Sequence, residues 1–116
     1  MTAPTFNFNV SVDTSTGAYD ITDSNGSPAN EPIDVTEPNT VIIYTLSEDS
    51  GSLVFTTPEI TGDDAGDLTW ELKDNDKTLE IVDSDADSET ICLKLVTQLG
   101  TTTFVSPDPQ IKNEPK

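Results

Sequence analysis

Histidine and arginine are absent from this chain of 116 residues, and its cations are five lysines: Lys73, Lys77, Lys94, Lys112 and Lys116. Without imidazole there is no ordinary acid, base or nitrogen ligand working near neutral pH. Without guanidinium there is no two-pronged clamp for phosphate or carboxylate. Cysteine is scarce too: Cys92 stands alone, so no internal disulfide forms and no zinc spacing exists. No Gly-rich phosphate loop occurs. No apolar run approaches the ~20 residues that a membrane-crossing helix requires. Carboxylates alone can hydrolyse glycosidic bonds, but that chemistry needs a cleft, which a chain this short has little material to build. The expectation is a protein that is not an enzyme and carries no cofactor.

What is abundant is acid. Asp and Glu number 22 against 5 Lys, a formal net charge of -17. Such a surface repels phosphate backbones and anionic lipid, which argues against nucleic acid and bare membrane as partners. Met1–Thr5 shows neither a basic cluster nor an apolar segment of the signal-peptide kind, so the expected location is the cytoplasm. Hydrophobic residues make up only 33% of the chain, yet they are gathered in alternating runs rather than diluted. Such concentration marks a folded core and not a disordered acidic chain.

Phe6, Phe8, Val10 and Val12 alternate with polar residues, the period-two pattern of a half-buried strand. Asp13–Gly17 is a turn, and Tyr19 and Ile21 face inward on the returning strand, completing an N-terminal hairpin. Pro28, Pro32 and Pro38 keep a central strand out of the next stretch, leaving Ile33 and Val35 to anchor a short edge segment. Thr40–Leu46 is apolar and β-branched at nearly every position, as expected of a central strand. Leu53–Thr57 runs back until Pro58, and Glu59–Gly66 has the composition of a loop. Leu68, Trp70 and Leu72 alternate again. Leu79 and Ile81, then Ile91, Leu93 and Leu95, repeat the pattern on either side of Asp83–Glu89, a stretch too charged to bury, which predicts a hairpin with an acidic turn. Cys92 lies on the face opposite Ile91 and Leu93, where a buried, inert thiol is expected. A last short strand surrounds Phe104 and Val105.

No segment carries helical spacing. Seven to eight short strands with regular turn signals predict an all-β protein, a single antiparallel β-sandwich. Its core would comprise Phe6, Phe8, Val10, Ile21, Val41, Ile43, Phe55, Leu68, Trp70, Leu72, Leu79, Ile81, Ile91, Leu93 and Leu95, with Trp70 at its centre. An immunoglobulin-like arrangement suits the length and the inward tryptophan, although the cysteine pair of antibody domains is missing. A jelly roll or a small barrel is the alternative. The sandwich domain would cover 1–106 and a proline-rich tail 107–116, packed on the domain or extending from it.

Two clusters are candidate sites. Asp83, Asp85, Asp87 and Glu89 offer hard oxygen ligands of the kind that hold Ca2+. They depart from an EF-hand loop at Ser88, where glycine belongs, and at Lys94, where a bidentate glutamate belongs. A solvated turn is the competing interpretation. The second cluster is the tail, whose prolines make it a poor ladder strand. Through Ile111 it would be a strap laid on the body, and through its stiffness a docking peptide.

Asp108-Pro109 and Glu114-Pro115 in that tail resemble the dipeptides that give the DP-EP (Asp-Pro/Glu-Pro) family of small bacterial proteins its name. The similarity extends through the Gly17–Asn25 turn region and the Ile81–Leu95 segment. It implies a compact β-protein with no established activity, substrate or cofactor, and it carries over no functional residue. The functional expectation is therefore a protein-interaction or binding module. An unknown partner protein, or a second copy meeting it through an edge strand, would use residues such as Asp108, Pro109, Ile111, Glu114 and Pro115. The alternative is a protein that binds Ca2+ or a small ligand through its acidic loops.

Overall fold

A computed structural model describes residues 5–23, 26, 33–36, 39–47, 51–62, 68–84, 89–106 and 110–113. Every regular element among them is a β-strand: β1 (Thr5–Asp13), β2 (Ala18–Asp23), β3 (Ile33–Val35), β4 (Thr40–Leu46), β5 (Val54–Phe55), β6 (Glu59–Thr61), β7 (Leu68–Lys73), β8 (Thr78–Asp83), β9 (Glu89–Lys94), β10 (Val96–Leu99), β11 (Thr102–Val105) and β12 (Gln110–Asn113). They form a five-stranded sheet in the order β2-β1-β4-β8-β7, a three-stranded sheet β11-β10-β5 and a four-stranded sheet β3-β12-β9-β6.

The all-β expectation is met, but the ladders are mixed. β1 runs parallel to β4, and β3 runs parallel to β12, while the other pairs are antiparallel. The strand count also exceeds seven to eight, for a local reason. The two smaller sheets share the same three runs of chain in matching order, β5 continuing into β6, β9 into β10 and β11 into β12. Each run is broken midway. Pro58, lacking an N–H, interrupts the first, and Leu95 interrupts the second. The loop composition assigned to Glu59–Gly66 thus hides β6.

Leu95 lies at the kink, yet Ile91, Leu93, Leu95 and Thr97 are all fully buried, so alternation survives the change of sheet. The ladder lost there is replaced by Ser106, whose N–H donates to the Leu95 carbonyl at 2.8 Å. The Ser106 Oγ accepts the Leu95 N–H at 2.7 Å. Thr97 is the polar member of the buried stripe, and a buried hydroxyl needs a partner. Tyr19, reaching over from the five-stranded sheet, donates its hydroxyl proton to the Phe104 carbonyl at 2.8 Å. With that proton used, Thr97 Oγ1 donates to the Tyr19 oxygen at 2.7 Å. Burial raises the Tyr19 pKa above the ordinary phenol value, so the proton stays in place.

One hydrophobic cluster joins Val10, Ile42, Tyr44, Leu46, Leu68, Leu79 and Ile81 of the five-stranded sheet to Ile33, Val35, Leu53, Phe55, Ile91, Leu93 and Leu95 from the rest of the chain. Phe8 stacks on Tyr44, with ring centroids 5.2 Å apart. Tyr44 is wholly buried, and its hydroxyl meets no hydrogen-bond partner among the described residues. Desolvation alone raises its pKa.

Three assignments need correction. The first is β4, which turns Ile42, Tyr44 and Leu46 inward and leaves Val41 and Ile43 half-buried on the other face. Both faces of this strand are apolar, so its own alternation could not choose between them. Pairing Ile42 with Ile81 and Tyr44 with Leu79 does. The second is the acidic hairpin: β8 has β4 and β7 on its two sides, leaving no edge for β9. The chain instead crosses to the other sheet, where β9 lies between β12 and β6. The third is the tail. Residues 110–113 are not too proline-rich to join a ladder, since the prolines fall outside them, and β12 sits between β3 and β9.

Candidate functional site at the β7 edge

The β7–β8 hairpin turns through Asp74, Asn75 and Asp76, with φ of 54°, 58° and 66°. Asp and Asn tolerate this left-handed region better than most residues because their short side chains hydrogen-bond locally. Here Thr78 Oγ1 donates to Asp74 Oδ2 at 3.1 Å, and the Lys77 N–H donates to the Asp74 carbonyl at 3.2 Å. The turn is also fastened from outside. The Phe55 N–H donates to the Asp76 carbonyl at 2.7 Å. Lys77 Nζ reaches the carbonyl of Gly51 at 2.6 Å and that of Leu53. A scarce cation is thus spent on holding one end of the hairpin.

β8 is central in its sheet and β7 is the edge: among the described residues no strand pairs with the far side of β7. Trp70 stands opposite Ile81 in register, so the inward face expected for it is correct. The depth is not. Trp70 is 39% exposed, because an edge position leaves one flank of the indole uncovered. It is not the centre of the core, which lies at Ile42, Ile81 and Leu93.

On the other face of the hairpin Glu71 stands directly opposite Glu80. Like charges in that position repel. Lys73 Nζ relieves half of the problem through an ion pair with Glu80 Oε2 at 3.0 Å, which raises the Lys73 pKa. Glu71 has no hydrogen bond or ion pair among the described residues. Thr69, Trp70, Glu71, Glu80 and Val82 line a shallow, open depression of about 130 Å³ here. Val41 lies opposite Val82, and Ile43 opposite Glu80, so β-branched side chains continue from the depression onto β4.

Two members of the acidic cluster, Asp83 and Glu89, fall on described strands, and those strands belong to different sheets. Asp83 is fully buried on β8, opposite Thr40 and Leu68. It lies two positions beyond Ile81, and strand parity carries it inward with its apolar neighbours. The expectation that it is too charged to bury is therefore wrong. Glu89 opens β9 in a different sheet, opposite Asn113. Asp85 and Asp87 lie outside the described residues. Among the described residues no group of three His, Cys, Asp or Glu side chains could hold a metal ion.

In the tail, Ile111 is in register with Ile91 on one side and Ile33 on the other. Asp108, Pro109, Glu114 and Pro115 lie outside the described residues. Cys92 is half-buried rather than buried. What sequence reasoning passed over is the pair Glu71 and Glu80. Alternation with Trp70 and Leu72 puts Glu71 on the outer face, but that Glu80 stands across from it follows only from the register of β7 with β8.

The family model for DP-EP matches residues 4–115, body and tail together. The chain belongs to the DP-EP family. Among solved structures, the DP-EP chain is similar to an inclusion body protein, PixA, from Burkholderia cenocepacia, at 12% identity and a TM-score of 0.55. The match covers 98% of this chain and 97% of that one, so the likeness is one of whole folds. A comparison with curated proteins finds no match. Among the described residues no helix is long and apolar enough to cross a membrane.

Proposed function

We propose that this DP-EP protein is a non-enzymatic interaction module, an immunoglobulin-like β-sandwich acting in the cytoplasm, and that it binds a partner protein along β7. The observation that supports this is Trp70, a large apolar side chain exposed in the middle of a six-residue edge strand whose far side is unpaired among the described residues. Exposed edges are where sheets accept an additional strand. The competing edges offer less. β3, β5, β6 and β11 are three, two, three and four residues long, and the exposed apolar residue of β11, Val105, stands at its end rather than mid-strand. β2 carries Asp20 and Asp23, and its Tyr19 is already engaged with Thr97 and Phe104. The lack of histidine and arginine supports the non-enzymatic part of the proposal.

The test is a photo-crosslinking residue placed at Thr69 on β7 and, separately, at Thr102 on β11, in cells that make the protein. A discrete adduct from position 69 and none from 102 is the expected result. Equal adducts from both positions, or an adduct that survives Trp70→Ala, would remove β7 as the binding edge.

A further inference from the structure

Resting on that β7 reading, we infer that the occupant of the edge is an extended segment of another protein in which basic and apolar side chains alternate. A strand added to β7 presents its side chains to the two faces in turn. On one face the neighbour is Trp70, whose exposed flank gains from an apolar side chain. On the other face the neighbour is Glu71, which repels Glu80 across the ladder and shares a single lysine with it. A cation arriving beside Glu71 supplies the charge that Lys73 supplies to Glu80. The open depression lined by Thr69, Trp70, Glu71, Glu80 and Val82, about 130 Å³, has room for the end of a lysine side chain.

Charge also selects among occupants. A second copy would bring another -17 to the same edge, against the repulsion that such a charge produces. An acidic strand would set a third carboxylate beside Glu71 and Glu80. A basic segment is instead drawn in by the field of the whole protein before any strand forms.

Trp70 is the only tryptophan, so its emission reports on this edge without a label. The intact protein is titrated with three capped heptapeptides: Lys-Val-Lys-Val-Lys-Val-Lys, the same residues in the order Lys-Lys-Lys-Lys-Val-Val-Val, and Glu-Val-Glu-Val-Glu-Val-Glu. The alternating basic peptide is expected to blue-shift the emission and slow hydrogen exchange of the amides of residues 68–73. Glu71→Gln should weaken its binding by about 1.5- to fivefold, the range of one exposed charge pair.

Equal binding of the blocked-order peptide overturns the proposal, because acidity without strand addition then suffices. Equal binding of the alternating acidic peptide overturns it as well. Protection of residues 68–73 by self-association, with no peptide added, makes a second copy the occupant. The same emission change from calcium chloride alone makes a metal ion the occupant. If no peptide binds while the adduct from position 69 persists and is lost in Trp70→Ala, the partner chemistry is wrong and the β7 edge stands. Loss of the adduct's position dependence defeats both.

Discussion

The two sides of the core are built from similar strands but held together differently. In the five-stranded sheet every strand runs unbroken and its ladder is continuous, so register is set by many equivalent pairs such as Ile42 with Ile81 and Val10 with Ile21. Opposite it, three runs of chain change sheet midway, and at the Leu95 break the backbone bonds to Ser106 in place of a ladder partner. Ser106 takes up both polar groups of Leu95, Thr97 is satisfied by Tyr19, and Gly62 lies against the backbone of β9. A continuous ladder shares its stabilisation over many bonds, whereas a broken one concentrates it in a few side chains. Single substitutions should therefore harm the broken side more.

The harshest test deletes residues 110–116. This removes β12, leaves β3 with no partner in its sheet, and takes one of the two antiparallel neighbours from β9. Loss of a cooperative thermal transition is expected. A deletion variant that still melts cooperatively within a few degrees of the full chain would show that β12 is an accessory strand.

A graded version compares Leu93→Ala with Ile43→Ala. Leu93 is fully buried on β9, and truncation should cost about 2–5 kcal/mol. Ile43 is half-buried on the outer face of β4, where about 1 kcal/mol is expected. Denaturant unfolding of both variants measures the gap, and equal losses would contradict the assignment of faces on β4.

That pair also shows why the fold was legible only in part. Leu93 was placed correctly because β9 alternates cleanly with Cys92 and Lys94, so its pattern encodes a face. Ile43 was misplaced because Thr40–Leu46 is apolar throughout, and only register with β8 decides. Strand existence is a local property, and the N-terminal hairpin, β7, β8, β9 and β11 could all be anticipated. Which strand pairs with which depends on contacts far apart in sequence, so the crossover between β8 and β9 gave no local sign. Trp70 failed for the same reason, since being at an edge is a property of the sheet and not of the strand. The burial of Asp83 follows from parity, but only once β8 is known to be covered.

Gly62→Ala tests whether close backbone approach matters at the broken side. Gly62 has φ +83°, and a Cβ there would lie 2.7 Å from the Thr90 carbonyl oxygen. The left-handed conformation alone costs about 1–2 kcal/mol for alanine. The contact is with β9 backbone, which cannot swing away as a side chain would, so a total of about 2 kcal/mol or more is expected. Gly51→Ala is the control, with a similar φ of +61° and nothing within 4 Å of its Cβ position. Equal losses in the two variants would assign the whole effect to handedness.

Ser106→Ala is smaller and more specific. It leaves the N–H of Leu95 buried without its acceptor, and an unsatisfied buried donor costs about 1–3 kcal/mol. Ser106→Thr keeps the oxygen and should recover part of the loss. If Ser106→Ala melts like the parent, water or a small shift of β11 repairs the break, and the concentration of stabilisation argued for the broken side does not hold there.

The smallest effect belongs to the unbroken side, at the turn joining β1 to β2. Asp13 Oδ1 accepts the Ser15 N–H at 3.0 Å and the Ser15 hydroxyl at 2.6 Å. Both bonds favour the charged carboxylate, and they hold the Asp13 pKa below its ordinary value of 3.8. The folded pKa is therefore the lower of the two. The contribution to stability is fully present above pH 3.8 and is lost as pH falls through the folded value. Asp13 is fully exposed, so solvent screens the effect, and a carboxylate titration by NMR is a better measure than unfolding. The midpoint for Asp13 should lie below the ordinary carboxylate value of 3.8 and rise toward it in Ser15→Ala. A midpoint that Ser15→Ala leaves unmoved would show that these bonds do not hold the turn in solution.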